Sequence, residues 1–349
     1  MSASAVVIGA GVAGLTTAVC LAESGMDVRV DADRLPGATT SAAAGAMWDP
    51  YLAEPSHLVE RWGRETLSVL TELSASSTDA DTGIRLVEGT QESRVPCDMP
   101  TWGGLVGARM CAPDELRQGF VAGWHYRAPL VDMPRYLDYL VRRLAQAGGS
   151  IRRHRYDTLE EAMREASVVV NCSGAGARSL AGDASVEAVR GQLVVVENPG
   201  IRTFFCDDTP GAEELTYIYP HADVLVLGGT ADRGNWELRP DEAAAQEIIR
   251  RCVAVEPSIA GARVVEQRVG LRPVRKRIRL EEERRAGTGT GTGSGTLLLH
   301  NYGHGGAGLT LSWGCAREIA ERVRTAVEPT GATGATGASG PTGSTGLTP

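Results

Sequence analysis

The apolar run Ala5-Val6-Val7-Ile8 leads through Gly9-Ala10-Gly11-Val12-Ala13-Gly14 into a stretch rich in alanine, leucine and threonine, with helical spacing to about Ser24. This pattern predicts a strand, a tight turn and a helix. After the helix stop at Gly25, Val28-Arg29-Val30-Asp31-Ala32-Asp33 alternates with period two and predicts a second strand. Leu58, Trp62, Leu70 and Leu73 recur at roughly helical spacing within 57–74. Leu137, Leu140, Val141 and Leu144 do the same within 134–147, with Asp132 and Pro134 as start signals. Further helices are expected over 240–255 and 312–326. The run Val168-Val169-Val170-Asn171 reads as a strand buried on both faces, 192–197 and 224–227 as sheet strands, and 297–300 as a last short strand before a glycine-rich turn. The expected class is α/β, with a sheet assembled from segments far apart in sequence and hence with interleaved domains.

The glycine loop carries the first chemistry. Gly9 permits the tight turn, Gly11 lets backbone approach a pyrophosphate, Gly14 lets helix and strand pack closely, and the helix N-terminus offers N–H donors to phosphates. Strand, loop, helix and second strand together predict a bound dinucleotide. An acid about 20 residues beyond the loop would grip the adenosine ribose. Period two puts Val28, Val30 and Ala32 on one face, which favours Asp33 over Asp31 and leaves both as candidates.

Length and charge narrow the partners. The 349 residues suffice for two domains, and a net charge of −8 argues against nucleic acid and anionic membrane surfaces, so the partner is expected to be small. The seven cysteines, at 20, 97, 111, 172, 206, 252 and 315, form no CxxC pair and read as reduced, mostly buried thiols of a cytoplasmic protein. Cys172 reads as a small buried residue. The apolar start lacks a basic leader and is expected to be core strand and helix, not a signal peptide or membrane span, and the C-terminal Leu347-Thr348-Pro349 is no peroxisomal address. Residues 287–295 alternate glycine with threonine or serine and read as a flexible hairpin loop. Glycine at 331, 334, 337, 340, 343 and 346 has the collagen period, but only Pro341 falls within the triplets, so 329–349 is expected to be a disordered Gly/Thr-rich tail.

Candidate chemistry gathers downstream. His300-Asn301-Tyr302-Gly303-His304-Gly305-Gly306-Ala307-Gly308-Leu309-Thr310 reads as a glycine-dense turn between strand and helix, where backbone can lie flat against a ligand and the helix N-terminus can face negative charge. Arg272, within Val269-Gly270-Leu271-Arg272-Pro273, stands among apolar and glycine residues and suits a bidentate carboxylate partner. Tyr217-Ile218-Tyr219-Pro220 reads as an extended segment aiming one tyrosine to each side. His300 and His304 are four apart, but the surrounding glycines exclude the helix a metal pair would use, and no metal site is expected. No GxSxG elbow is present.

These elements together resemble the D-amino-acid oxidase family of flavoenzymes, which includes the D-aspartate oxidases. The resemblance rests on VIGAGVAGL at the start, TTSAAAGAMWDPY at 39–51, NCSGAGARSLAGD at 171–183, RGQLVVV at 190–196, YIYP at 217–220, LGGTADRGNW at 227–236, GLRPVR at 270–275 and HNYGHGGAGLT at 300–310, and it covers the chain to about residue 325. It implies a Rossmann-like FAD-binding domain (1–48, 134–183 and 266–328) interleaved with an α+β substrate domain on a mixed sheet (49–133 and 184–265). It assigns Gly9, Gly11, Val12, Ala13 and Gly14 to the FAD pyrophosphate, and Asp33 and Arg34 to the adenosine end. Thr39, Thr40, Ser41, Gly45, Ala46 and Met47 fall along the cofactor near the flavin, with Ser173, Gly174, Gly305, Gly308, Leu309 and Thr310 at its other contacts. Arg272 and the Tyr217 hydroxyl are implied to bind the substrate α-carboxylate, and the Gly306 carbonyl its amino group. No residue is implied as acid or base. The implied reaction is hydride transfer from Cα to flavin N5, hydrolysis of the imino acid to a 2-oxo acid and ammonia, and reoxidation by oxygen to hydrogen peroxide, with the protein supplying orientation. The partners are then a small D-amino acid and oxygen, with self-association left open.

Two departures bear on the substrate. The mammalian members have a second tyrosine in a lid loop before YIYP, where this chain has Gly211-Ala212-Glu213-Glu214-Leu215. The basic residues that D-aspartate oxidases use for a distal carboxylate align with Tyr51 and Ala231. An unpaired buried carboxylate is costly, so neutral D-amino acids are expected as substrates. Arg233 is the nearest alternative cation. D-aspartate oxidase and glycine oxidase are the rival readings, and a non-catalytic assembly protein a remote one.

Overall fold

The computed structural model describes residues 4–50, 53–212, 215–285 and 295–327. The expected loop 287–295, all but its last residue, and the tail 329–349 lie outside the described residues. In chain order the elements begin with β1 (Ser4–Ile8), α1 (Val12–Glu23), β2 (Asp27–Ala32), α2 (Ser56–Ser76), α3 (Asp79–Thr82), β3 (Ile84–Ser93), β4 (Arg109–Met110) and β5 (Ala122–Val131). They continue with α4 (Met133–Gln146), β6 (Ser150–Arg153), α5 (Leu159–Met163), β7 (Val168–Asn171), α6 (Ala177–Leu180), β8 (Glu187–Glu197) and β9 (Phe204–Asp207). The chain then forms β10 (Thr216–His221), β11 (Val224–Gly228), β12 (Asp232–Arg233), α7 (Glu242–Val255), β13 (Val264–Arg285), β14 (Thr296–His304) and α8 (Gly308–Val327).

Among the described residues all strands join one 14-stranded sheet, ordered β4-β5-β3-β9-β10-β11-β8-β13-β14-β7-β1-β2-β6, with β12 beside β8. From β14 to β6 every pairing is parallel, with β1 flanked by β2 and β7. The chain leaves β1 toward β2 on one side, and β7 lies on the other. This is the topological switch point outside which open α/β sheets bind ligands. The remaining strands form a mixed part, antiparallel except for β3 against β9. The segments between β2 and α4, and between β7 and β13, supply that part, so its strands interrupt the parallel one in sequence.

Alternation decides what each strand face touches. Ala5, Val7, Val168, Val170, Leu297 and Leu299 point toward α1, α4 and α8, while Val6, Ile8, Val169 and Leu298 meet Tyr156, Leu159, Ala162 and Met163 around α5. Both faces are covered, as a parallel sheet requires, and each large apolar side chain removed from water contributes about 1.5–3 kcal/mol. In the mixed part, Val194, Val196, Ile218, Leu225 and Leu227 pack on Ala245, Ile248 and Cys252 of α7. The other face, with Leu193, Val195, Tyr219 and Val226, turns toward Met47, Trp124 and Tyr126.

Two expectations change in detail. The final strand runs on to His304 instead of ending at residue 300, because its alternate residues stay buried on both faces. The last helix begins at Gly308, not 312, since Leu309, Thr310 and Trp313 bury against the neighbouring helices. The glycine turn is thereby reduced to Gly305-Gly306-Ala307.

At the first turn, Gly9 has φ +110°, and Gly14 packs so closely that a Cβ there would stand 1.9 Å from the Gly9 carbonyl oxygen. Backbone cannot yield at that distance, so Gly14→Ala is expected to abolish most soluble folded protein. Gly37→Ala, whose added Cβ would meet no atom within 4 Å, is expected to leave the melting temperature unchanged. Thermal unfolding of the two purified variants checks this, and a Gly14→Ala protein as stable as the parent would refute it.

Candidate active site

A cavity of about 1080 Å³ opens at the switch point and runs from the end of β2 to the mixed part of the sheet. That exceeds the usual range for a drug-sized ligand and suits a dinucleotide with a second small molecule beside it. Gly9, Gly11, Val12, Ala13, Asp33 and Arg34 line one end. Thr39, Thr40, Ser41, Gly45, Ala46, Met47, Ser173, Gly174, Gly305, Gly308 and Leu309 line its length, and Tyr217, Arg272 and Gly306 also border it.

Two helix N-termini meet at this wall. Gly308, at the start of α8, lies 3.8 Å from Val12 at the start of α1 when measured from an added Cβ, so both positive dipole ends face the same space. The Val12 N–H donates to Ser41 Oγ at 3.0 Å, which ties the 39–41 segment to the glycine loop. Thr40 Oγ1 accepts from Leu271 N at 3.2 Å, and Ser173 Oγ donates to Asn171 Oδ1 at 2.6 Å. His221 bonds through Nε2 to the Gly45 carbonyl at 3.0 Å.

The structure separates the two acids of the second strand. Asp31 is fully buried and bound by Arg152 at 2.9 and 2.8 Å, by Arg29 at 3.1 Å and by the Tyr156 hydroxyl at 2.6 Å. These donors hold its carboxyl below the usual range against the opposing effect of burial. Asp33 is exposed and borders the cavity. Gly14 and Thr310 are the two assigned residues that do not border it. Gly14 packs against Gly9, and the Thr310 hydroxyl donates to the Asp49 carbonyl at 2.7 Å while accepting from the Asp49 N–H at 3.0 Å.

At the other end, Arg272 NH1 donates to the Thr230 carbonyl at 2.9 Å, and the guanidinium lies directly over Gly191, where a Cβ would come within 2.5 Å of it. No carboxylate of the described residues forms an ion pair with Arg272, so none of them is the partner expected from the sequence. The Tyr217 ring lies over Gly228, and a Cβ on the next residue, Gly229, would stand 3.3 Å from the Tyr217 hydroxyl. Phenol and guanidinium therefore converge on the Gly229-Thr230 segment. The Gly305 N–H donates to the Pro273 carbonyl at 3.0 Å, which brings the glycine turn beside Arg272. The two tyrosines do not go to opposite sides. Residues two apart in a strand share a face, and the rings of Tyr217 and Tyr219 stack with centroids 4.5 Å apart.

His304 borders the cavity, bonds Asn301 Oδ1 through Nε2 at 3.0 Å, and is pushed by burial down to about 4, so it is neutral at ordinary pH. Among the described residues no three histidine, cysteine or carboxylate side chains gather to hold a metal ion. Arg233 pairs with Glu187 at 3.4 Å on the exposed edge strand β12 and does not border the cavity, nor does Ala231. Tyr51, Glu213 and Glu214 lie outside the described residues.

Sequence reasoning missed several groups on the wall. Asp49, Cys206, Asp207, Asp208, Tyr219 and Leu215 border the cavity on the Tyr217 side, and Trp236 and Leu238 border it from the segment after β12. Asp49 sits within the 39–51 motif, yet nothing in its spacing distinguishes it from a surface turn. Burial, reinforced by the nearby Asp208 charge, pushes the Asp49 carboxyl up to about 7. Asp208 is raised too, by burial and by Asp207, against a hydrogen bond from Gln91.

The family of FAD dependent oxidoreductases matches residues 4–322. A D-amino-acid oxidase of Rubrobacter xylanophilus is 48% identical over 320 residues, covering 91% of this chain and 95% of that protein. The human D-aspartate oxidase is 37% identical over 330 residues, 92% of this chain and 94% of that one. A crystal structure of glycine oxidase from Geobacillus kaustophilus shares the fold, with a TM-score of 0.75 at 20% identity over 93% of this chain and 95% of that one. With the glycine loop, the paired helix ends and the long cavity in place, the match over nearly the whole chain shows that this protein belongs to the FAD-dependent oxidoreductase family.

Proposed function

We propose that the protein oxidatively deaminates D-amino acids to 2-oxo acids, ammonia and hydrogen peroxide. The observation that carries this reading is the pairing of Tyr217 and Arg272 at one end of a cavity whose other end has the form of a dinucleotide site. In the same reading, 1–48, 134–183 and 266–328 form the FAD-binding domain, and 49–133 with 184–265 the substrate domain. The fit of the cofactor is supported by Gly9 and Gly11, which leave the wall without side chains where backbone must approach a pyrophosphate, and by Asp33 at the ribose end. FAD, when bound, supplies the hydride acceptor and the route for electrons to oxygen.

The protein's own part is orientation. Arg272 and the Tyr217 hydroxyl hold the α-carboxylate, since both donate to an anion and Arg272 has no competing carboxylate among the described residues. The Gly306 carbonyl accepts from the amino group. Neutral His304 adds no charge beside the reacting carbon. On the Tyr217 side, no cation other than Arg272 borders the cavity among the described residues: Arg233 faces Glu187, while Asp49 and Asp208 line the wall. The seven cysteines are unpaired, which agrees with a cytoplasmic setting. None of the helices among the described residues is long and apolar enough to cross a membrane.

Three outcomes test this reading. FAD is expected to be non-covalent, and acid precipitation should release it to the supernatant; yellow pellets would contradict this. Arg272→Ala is expected to lower kcat/KM for D-valine by roughly 100-fold or more while FAD absorbance per protein stays constant, because charge-assisted hydrogen bonds contribute about 1.5–3 kcal/mol each. Unchanged kcat/KM would remove Arg272 from the carboxylate site. D-Aspartate is expected to turn over at least about tenfold less efficiently than D-valine or D-methionine, measured as peroxide release, since a buried unpaired carboxylate costs several kcal/mol.

A further inference from the structure

We propose that Asp49 and Asp208 form the side-chain end of the substrate cavity and select D-amino acids with a cationic side chain over neutral ones of equal length. This rests on the reading of the chain as a D-amino-acid oxidase and names the substrate class within it.

Buried Asp31 and Glu92, and half-buried Asp183 and Asp207, have partners. Asp31 has Arg29, Arg152 and Tyr156; Asp183 has Arg275 at 2.9 Å and Tyr302 at 2.8 Å; Glu92 has Arg117 at 2.6 Å; Asp207 has Arg94 at 3.0 Å. Asp49 departs from this rule. Its backbone is fixed from both sides by Thr310, yet no described residue donates a hydrogen bond to its carboxylate, and the charge acting on it is that of another acid, Asp208. The cation is not hidden elsewhere. Every lysine, arginine and histidine except Arg285 has a described side chain, and none reaches ion-pair distance of Asp49 or Asp208.

Asp49 is half-buried on the cavity wall, and an unpaired carboxylate there is costly unless a ligand completes it. The cavity is open to Asp49, and it offers the remaining parts of a matching site. Arg272 stands ready for the α-carboxylate, while the stacked Tyr217 and Tyr219 rings, Met47 and Leu215 provide apolar surface for a methylene chain. An ammonium at the end of that chain would restore the charge balance that the protein leaves open. A neutral chain of the same length would instead bury against two acids and gain no partner.

D-Lysine and D-norleucine share the same four-carbon side chain and differ by the ammonium that replaces a hydrogen of the terminal methyl in D-lysine, which isolates the effect. With the FAD-loaded enzyme, kcat/KM for D-lysine is expected to exceed that for D-norleucine by at least about tenfold, in line with loss of a single charged contact in a specific pocket. Asp49→Asn, of the same shape, should cut this ratio at least tenfold, by lowering D-lysine and raising D-norleucine. Asp208→Asn should shift it in the same direction. Equal ratios in the parent, or a ratio indifferent to Asp49→Asn, would overturn the proposal. If no D-amino acid is oxidised, the functional reading fails by itself. The acid pair is then judged by thermal shift: D-lysine should raise the melting temperature more than D-norleucine in the parent and not in Asp49→Asn, and equal shifts would reject it.

Discussion

A single long strand holds the molecule together as a working unit. β13 pairs with β8 from Val264 to Val274 and with β14 from Val274 to Arg285, so one continuous backbone belongs to both parts of the sheet. The change of partner falls at Val274, two residues beyond Arg272. Arg272 therefore points from the shared seam into the cavity between the parallel strands and the mixed ones. Pro273 follows it and has no N–H to give, but its carbonyl accepts from Gly305, so the strand also fixes the glycine turn. Substrate and cofactor walls are thus positioned by one element, and a displacement of the seam would move both.

Charge is distributed along the cavity with equal economy. The parallel end presents helix N-termini and Arg34, suited to phosphates and a nucleotide. In the proposed reading, Arg272 supplies positive charge for the α-carboxylate, and Asp49 with Asp208 supply the opposite sign further along. Neither Arg272 nor the acid pair has a counter-ion among the described residues, while Asp31, Asp183 and Glu92, which do not face a ligand, are all paired. Leaving groups unpaired lowers stability, and the loss is tolerated where the ligand returns it.

Much of the parallel part is legible from sequence because it obeys simple periodicity. Ala5 to Ile8, Val168 to Asn171 and the helix over 134–147 are apolar in patterns that only one element type satisfies. The mixed part is less so. β13 contains Arg272, Arg275, Arg277 and Arg279 with Glu281 and Glu283, a composition that reads as solvent-facing chain. It is held as a strand by cross-strand partners, such as Arg275 with Asp183 and Arg279 with the Tyr302 hydroxyl, which no local pattern reports. The start of α8 escapes the sequence for a related reason, since three glycines mask a helix whose first turn is buried by tertiary packing.

The site is legible to the extent that it is made of motifs. The glycine loop and Arg272 stand out because backbone geometry and an arginine among apolar residues are visible one residue at a time. The partition between Asp31 and Asp33 needs Arg152 and Tyr156, which lie more than a hundred residues away. Asp49 and Asp208 are separated by an even longer stretch and meet only because Trp48 is anchored to Pro129 and Asp208 to Glu92 by backbone hydrogen bonds on adjoining strands. If the acid pair reads the side chain as proposed, specificity is a property of the mixed sheet's register. The cofactor end can be read from a short local sequence, whereas the substrate end depends on which residues that register brings face to face.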